Sequence, residues 1–274
     1  MDLLYLMKRE LLRRKYSHRT IVTYSHCLRH FLNWCEKEPR RITKYDVSRY
    51  LYRLCDHKKS ASTLNVNLQA IKFALEEILN KRFFVKMPYS KVPERIPRVL
   101  SKEEVQRIFD AIKNPTHLLI VKLLYSAGLR LSETVGLRVE DLEMDKGFGW
   151  VRQGKGNKDR VFVVAEALKN DLARHISTKA VGSFIFSGFR GHLSPRTVQE
   201  IVRQASKKAG LKGVHPHTLR HSFTTHLIEA QYPLTTVQAL LGHNSPDTTM
   251  VYVHAANVKM LNVQSPLDSF QQPL

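Results

Sequence analysis

The C-terminal part of the chain places a tyrosine close in sequence to several cationic side chains. Tyr252 follows His243 by nine residues, and the segment His217-Thr218-Leu219-Arg220-His221 lies upstream. A free tyrosine is a poor nucleophile at neutral pH, because its pKa is about 10. It becomes reactive where cations stabilise the phenolate and where the electrophile is itself anionic. A phosphodiester meets both conditions, so these residues predict a tyrosine that attacks DNA.

The charge of the chain supports a polyanionic partner. Its net charge is +20, of which residues 1–97 contribute +12 and residues 98–274 contribute +8. A disordered basic tail would concentrate the excess at one end, so both halves are expected to face a polyanion. A solubilising or thermophilic surface is the alternative, but such surfaces usually balance Lys with Glu. The charge therefore favours double-stranded DNA.

The elements that must hold these residues are predicted to form two domains. In the N-terminal part, the apolar spacing predicts helices over Ser17–Cys35 and Ser62–Leu79, and a further helix begins at an N-cap threonine, Thr43. Three prolines within residues 87–97 forbid a continuous helix there. The predicted parts are a helical DNA-binding domain at 1–87, a Pro-rich linker at 88–99, a catalytic domain at 100–262 and a tail at 263–274.

The second domain is predicted to be helical around a small antiparallel β-sheet. Ser101 and Glu104 have the spacing of a capping box that opens a helix. Another helix covers His117–Ser126 and ends at Gly128. Between Gly149 and Val164 the apolar pattern changes to two short runs flanking a turn rich in glycine and lysine, which predicts a β-hairpin. The predicted fold class is mainly α with a small antiparallel sheet.

Four blocks of the second domain resemble the tyrosine recombinase (phage integrase) family, in particular its Xer-type members. They are Ala127-Gly128-Leu129-Arg130-Leu131-Ser132-Glu133, Gly154-Lys155-Gly156-Asn157-Lys158-Asp159-Arg160, His215-Pro216-His217-Thr218-Leu219-Arg220-His221 and the run from Leu240 to His254. The first domain matches only in size and helical character. The resemblance implies a helical core-binding domain and an α+β catalytic domain that clamp duplex DNA. It also implies strand exchange through a 3′-phosphotyrosyl intermediate.

Two arginines are expected to hold the reacting phosphate. Arginine keeps its charge and presents a planar fork that fits two phosphate oxygens. An arginine that follows a helix cap is usually only a surface charge, but the resemblance favours a functional role for both Arg130 and Arg220. Arg130 follows the helix that ends at Gly128 and precedes a short helix, which we expect to be capped by Ser132. Glu133 is expected to orient the arginines.

The remaining members of the predicted catalytic set move protons or attack the phosphate. The resemblance implies that Tyr252 is the nucleophile, and that His217 and His243 donate hydrogen bonds to phosphate or accept the proton of Tyr252. Lys155 is expected to protonate the leaving 5′-oxygen. Lys158 competes for this role, but in the resembling blocks the functional lysine lies between the two glycines, as Lys155 does.

The chemistry is expected to need no cofactor and no metal. The two arginines and two histidines provide four donors to the reacting phosphate. At roughly 2.7–4 kcal/mol each, they would stabilise the transition state by about 11–16 kcal/mol, within the roughly 8–23 kcal/mol that enzymes provide. His217 and His221 have the spacing of a helical zinc pair, but no third ligand follows at useful spacing. The cluster of His26, Cys27, His30 and Cys35 matches no common metal site, and the chain has no P-loop motif.

The expected function is site-specific recombination of DNA, most simply the resolution of chromosome dimers. Integration of a mobile element is the alternative, while a type IB topoisomerase or a non-catalytic accessory protein fits less well. The resemblance implies four protomers on two duplexes, which we expect to be a homotetramer, although the sequence does not distinguish it from a mixed tetramer. Contacts between protomers are expected through the tail, which is otherwise expected to be flexible. Three cysteines without C-x-x-C spacing, and the lack of a signal peptide or membrane span in the sequence, predict a cytoplasmic protein.

Overall fold

A computed structural model describes residues 2–81, 88–91, 98–152, 159–189, 191–242 and 265–268. The chain divides into two compact units, Met1–Arg95 and Ile96–Leu274. Each unit has its own hydrophobic core. We describe the units one at a time.

The N-terminal unit is a bundle of helices. They are α1 (Leu3–Arg13), α2 (His18–Cys35), α3 (Lys44–Asp56) and α4 (Ala61–Lys72), with a 3₁₀ turn at Pro39–Arg41 and a π-helical continuation of α4 over Phe73–Ile78. The predicted helices are confirmed, and so is the cap of α3. There the Thr43 hydroxyl accepts a hydrogen bond from the Asp46 amide, and the Asp46 carboxylate accepts one from the Thr43 amide. Met7, Leu28, Phe31 and Ile71 are buried in the core.

Ser90 in the Pro-rich segment and Leu100, which follows the segment, each bond to their own unit. Ser90 exchanges two hydrogen bonds with the side chain of Asn65 in α4, at 2.7 and 2.9 Å. Further along the chain, the Leu100 amide donates to the hydroxyl of Ser222 at 2.9 Å, and Leu100 is fully buried. Hydrogen bonds between backbone and side chains therefore hold the segment at Ser90 and the chain just after it at Leu100.

The C-terminal unit is mainly helical with a small antiparallel sheet, which confirms the predicted fold class. Its helices are α5 (Lys102–Asp110), α6 (Pro115–Ser126), α7 (Leu131–Gly136), α8 (Glu166–Ile176), α9 (Pro195–Lys208), α10 (Pro216–Glu229) and α11 (Leu234–Leu241), with 3₁₀ turns at Val139–Asp141 and Met144–Lys146. Its strands are β1 (Leu142–Glu143), β2 (Phe148–Val151), β3 (Arg160–Val163), β4 (Ser187–Gly188) and β5 (Gly191–His192). In the part of the chain that the structure describes, no helix has the length and apolar character needed to cross a membrane.

The β2–β3 hairpin predicted from the sequence is confirmed. The strands pair antiparallel with Val151 opposite Arg160, and β1 adds to the outer edge of β2. The turn residues 153–158, which include Lys155 and Lys158, lie outside the described residues. Val151 and Arg160 therefore form the pair at the base of the hairpin, and Lys155 lies between them in the sequence.

Helix α6 lies at the centre of the C-terminal unit and contacts α7, α8, α9 and α10. It ends as predicted, because Gly128 has a φ of +56°, which favours glycine. A Cβ atom at this position would lie 2.4 Å from Cδ1 of Phe223 in α10. The glycine therefore permits both the turn and the close packing of α10 on the end of α6.

The expectation of an unattached tail is wrong for the four tail residues that the structure describes. The Ser265 hydroxyl donates to the Ser126 carbonyl at 2.9 Å, and the Ala167 amide donates to the Asp268 carboxylate at 3.0 Å. Leu267 is buried between these contacts. Residues 265–268 therefore pack on their own unit, while residues 269–274 lie outside the described part and the predicted contacts between protomers stay a prediction.

Candidate active site

Three arginines surround the carboxylate of Glu133. Arg130 Nη1 lies 2.7 Å from Oε1, while Arg160 Nη2 and Arg220 Nη1 lie 2.6 and 3.9 Å from Oε2. The Glu133 side chain is 6% exposed. Because the site contains three guanidinium groups and one carboxylate, it keeps a net charge of +2.

Arg130 is positioned by the start of α7. It is the N-cap residue of this helix, and the Glu133 carboxylate accepts a hydrogen bond from its backbone amide at 2.8 Å. The prediction that Ser132 caps α7 is therefore wrong. The acidic side chain satisfies the open end of the helix instead, and the same carboxylate holds the Arg130 guanidinium.

Arg220 is positioned by carbonyl groups at the ends of two helices. It lies on α10, and its Nη1 and Nη2 atoms donate to the carbonyls of Gly128 and Leu241 at 2.5 and 2.6 Å. Burial, with Arg130 and Arg160 nearby, lowers the pKa of Arg220 to about 9, so the group stays protonated at neutral pH. A guanidinium has five N–H donors, and the hydrogen bonds to described residues use two. The other three are not used by the hydrogen bonds to described residues.

Arg160 was not predicted as a site residue. Its side chain is 8% exposed, pairs with Glu133, and donates through Nη1 to the carbonyl of Leu240. Burial lowers the pKa of Arg160, and the charge of Glu133 opposes the shift. The available signal was a charged residue that begins an otherwise apolar strand, because a charge in such a position needs a partner.

The electrostatics of the cluster keep the carboxylate ionised. Burial acts to raise the pKa of Glu133, but Arg160 and the hydrogen bonds and charge of Arg130 outweigh it, so the pKa is lowered. Glu133 thus neutralises part of the arginine charge and orients the guanidinium groups, which agrees with the orienting role expected for it. The remaining positive charge can stabilise an anion with two or more oxygens, such as a phosphodiester.

His217 lies on α10, three residues before Arg220, and the residue is partly exposed to solvent. Partial burial, together with the charges of His215, His221, Arg220 and Arg130, lowers the pKa of His217. The imidazole is therefore neutral at pH 7 and offers one N–H donor and one acceptor. Within the described residues, no group of three or more His, Cys, Asp or Glu side chains is arranged to hold a metal ion.

Comparison with known proteins identifies the family. The model of the "Phage integrase family" matches residues 98–258, and that of the "Phage integrase, N-terminal SAM-like domain" matches residues 3–83. The chain belongs to the phage integrase family. It is 37% identical to tyrosine recombinase XerA of Pyrococcus horikoshii, over 86% of this chain and 83% of the relative. It is an enzyme, a tyrosine site-specific DNA recombinase.

Two further relatives show how widely the similarity extends. An integrase/recombinase of Escherichia coli is 32% identical, over 93% of this chain and 89% of the relative. A solved lambda integrase tetramer bound to a Holliday junction has the same fold, with a TM-score of 0.71 and 21% identity, over 90% of this chain and 78% of that chain. The match to the family model includes all six predicted catalytic residues.

Three of these six residues in the recombinase lie outside the described residues, namely Lys155, His243 and Tyr252. The structure brings together Arg130 and Arg220 through Glu133, and the charges of both arginines act on His217. It also places Gly242, the residue before His243, against Arg130, because Arg130 Nη2 donates to the Gly242 carbonyl at 3.3 Å. The catalytic roles of all six residues stay predictions.

The recombinase is expected to lose stability in mild acid because of a buried histidine. His226 on α10 accepts or donates a hydrogen bond with the Tyr125 hydroxyl at 2.7 Å and is 6% exposed. Burial, assisted by Lys102 and opposed by Glu229 and Glu103, lowers the pKa of His226. The unfolded chain therefore binds the extra proton, so this contribution to stability is present above about pH 6.5 and is lost as the pH falls below it.

Melting temperatures measured from about pH 7.5 to about pH 5 test this expectation. The wild type is expected to melt at lower temperatures as the pH falls. In His226→Asn, whose amide oxygen can accept from Tyr125 but does not titrate, the fall should be smaller. The melting temperature of His226→Asn should still fall somewhat, because partial burial also lowers the pKa of His217 and that of His221. An equal fall in both proteins would contradict the assignment to His226.

Proposed function

We propose that this recombinase exchanges DNA strands at a specific duplex site by metal-independent transesterification. In this proposal residues 100–262 carry the chemistry and residues 1–87 bind the duplex. The supporting observation is the set of guanidinium groups around Glu133, which leaves a net charge of +2. The charges of Arg130 and Arg220 also act on His217. A phosphodiester bound there gains charge stabilisation before and during attack.

The proposed reaction moves one proton to the protein and one proton to the leaving group. The Tyr252 oxygen bonds to phosphorus as the bond from phosphorus to the 5′-oxygen breaks. His217 or His243 accepts the phenol proton, and Lys155 donates a proton to the 5′-oxygen. The product is a 3′-phosphotyrosyl ester and a free 5′-hydroxyl. Attack by the 5′-hydroxyl of another strand reverses the steps and restores Tyr252, so no ATP is consumed.

Arg130 and Arg220 have the role of charge stabilisation in this scheme. The phosphorane-like transition state carries additional negative charge on its non-bridging oxygens. Guanidinium groups that are already fixed by Glu133, Gly128 and Leu241 need little reorganisation when that charge develops. The structure thus supports stabilisation of the transition state by preorganised donors.

The biological role that we propose is resolution of chromosome dimers by a homotetramer on two duplexes. The similarity to XerA of Pyrococcus horikoshii supports an Xer-type role. The similarity to an integrase/recombinase of Escherichia coli favours a second candidate, integration of a mobile element. The lambda integrase tetramer on a Holliday junction supports assembly of four protomers.

Covalent capture on genomic DNA tests the proposed function. Purified protein is mixed with fragmented genomic DNA in the presence of a chelator, and DNA attached to protein is recovered and sequenced. A plasmid with two copies of the recovered site is then expected to yield two smaller circles. A site at one chromosomal locus supports dimer resolution, whereas a site at the ends of a mobile element supports integration.

Two outcomes would overturn strand exchange. Relaxation of supercoils without any deletion product would indicate a topoisomerase. Binding of DNA without covalent attachment would indicate an accessory protein. The matched control is Arg203→Ala, which removes an exposed arginine paired with Glu200 on α9 and is expected to recombine like the wild type.

A further inference from the structure

Arg160 contributes to the positive charge around Glu133, but the proposed mechanism gives it no contact with the phosphate and no proton to transfer. Its side chain is 8% exposed, and its Nη2 atom lies 2.6 Å from the Glu133 carboxylate. Its Nε atom is also buried, and among the described residues it has no hydrogen-bond acceptor. A buried ion pair usually adds little stability over an apolar pair, and an unsatisfied buried donor is unfavourable. Stability alone is therefore a poor explanation for an arginine at this position.

The contacts of Arg160 join three segments of the catalytic domain. Its backbone begins β3, directly after the hairpin turn and opposite Val151. Its guanidinium bonds to Glu133 in α7 and to the Leu240 carbonyl in α11. Each of these segments lies within five residues of a predicted catalytic residue, because α7 follows Arg130, β3 follows Lys155 and α11 precedes His243.

Close packing at the end of α11 fixes the Arg160 side chain further. Gly242 has a φ of +58°, and a Cβ atom there would lie 2.5 Å from Cδ of Arg160. Only glycine allows the aliphatic part of the arginine to pass so close to this turn. The side chain is therefore held along its length as well as at its charged end.

We infer that Arg160 is a positioning residue, which fixes the base of the β2–β3 hairpin so that Lys155 can protonate the leaving 5′-oxygen. The β2–β3 hairpin has only four residues in each strand, and β1 adds only two residues at the edge of β2. A sheet this small has little stability of its own and takes its orientation from the contacts of its strands. The bonds of Arg160 to Glu133 and Leu240 tie β3 to the group that also holds Arg130. This inference rests on the proposed function, in which Lys155 is the general acid.

The leaving group offers a way to isolate this role. With oxygen at the 5′ position, the bond from phosphorus to oxygen breaks as Lys155 transfers its proton to the oxygen. With sulfur at the same bridging position, the leaving group departs as a thiolate, which is stable without that proton because a thiol is far more acidic than an alcohol. A defect in proton delivery therefore disappears on the sulfur substrate, whereas a defect in phosphate binding does not.

The experiment measures single-turnover formation of the covalent adduct on a nicked suicide duplex with either oxygen or sulfur at the 5′ bridging position. Arg160→Met is expected to react about 10²-fold more slowly than the wild type on oxygen, as expected for a misplaced catalytic group, and close to the wild-type rate on sulfur. Arg160→Lys keeps one charge near Glu133 but lacks the fork, so it should lose less on oxygen and also recover on sulfur. Lys155→Ala should show the same recovery, and Arg220→Ala should be slow on both substrates.

Controls separate positioning from loss of fold or charge. Arg174→Met removes an exposed arginine of α8 that pairs with Asp171, and it is expected to react like the wild type on both substrates. Melting temperatures show whether each variant is folded. If Arg160→Met does not fold, the inference is tested by whether Arg160→Lys regains the wild-type rate on the sulfur substrate.

The outcomes distinguish this inference from the proposed function. If the Arg160 variants react at the wild-type rate on the oxygen substrate, the inference is wrong and the proposed function stands. The same holds if they react equally slowly on both substrates while Lys155→Ala regains the wild-type rate on sulfur. If Lys155→Ala fails to recover on sulfur, the general acid is misassigned. If the wild type forms no adduct, the proposed function itself is wrong.

Discussion

Replacing Arg220 with alanine is expected to slow covalent cleavage of DNA by about 10²–10³-fold, the loss that follows removal of one preorganised donor to a developing charge. The guanidinium is already fixed by the carbonyls of Gly128 and Leu241, at 2.5 and 2.6 Å. In the proposed mechanism it can therefore stabilise the transition state without first being ordered. Arg220→Lys should also be slow, because an ammonium group cannot reproduce the planar fork.

A loss of fold could also slow the Arg220 variants, so the experiment needs a readout that depends on phosphate charge. The rate should be measured at saturating DNA, with a melting curve for each variant. A scissile methylphosphonate lacks one charged oxygen. The difference in cleavage rate between Arg220→Ala and the wild type should therefore be smaller on that substrate. Arg203→Ala, which removes an exposed arginine, should cleave both substrates at the wild-type rate. If Arg220→Ala is slower than the wild type by the same factor on both substrates, charge stabilisation by Arg220 is contradicted.

Much of the fold followed from local sequence signals. The caps at Thr43 and Ser101, the helix end at Gly128 and the β2–β3 hairpin are each set by residues within a few positions of one another. Such signals act before distant segments meet, so they can be recognised in the sequence alone. The fold class was predicted correctly for this reason.

The contacts that complete the site depend on residues far apart in sequence. Arg160 is separated from its partner Glu133 by 27 residues and from Leu240 by 80. No local pattern shows that these groups meet, so Arg160 was predicted as part of a strand and of a resembling block, but not as a site residue. The cap of α7 was wrong for a related reason, because the Glu133 carboxylate serves both the helix end and the arginines.

The tail shows a third limit of local patterns. The sequence after Val263 has little apolar periodicity, and this favoured an unattached segment. In the structure a single buried side chain, Leu267, and two hydrogen bonds hold residues 265–268 on the catalytic domain. One apolar residue in the right place is sufficient for packing, but it gives no periodic signal.

Replacing Tyr252 with phenylalanine is expected to abolish covalent attachment to DNA, since the phenylalanine ring has no oxygen to bond to phosphorus. DNA binding should persist, because the charged side chains that contact phosphates are unchanged. The matched control is Tyr5→Phe, which removes a hydroxyl from an exposed tyrosine of α1 and should form the adduct normally. Together the two variants separate the chemistry of one hydroxyl from any general effect of losing a tyrosine.

The central claim is that Tyr252 is the nucleophile, and one measurement tests it most directly. Wild type, Tyr252→Phe and Tyr5→Phe are incubated with a labelled nicked suicide duplex that carries the recognised site, in the presence of a chelator, and are separated on a denaturing gel. The wild type and Tyr5→Phe should retain label on the protein band, and Tyr252→Phe should retain none. Label on Tyr252→Phe at the wild-type level would show that another group attacks the DNA and would contradict the account.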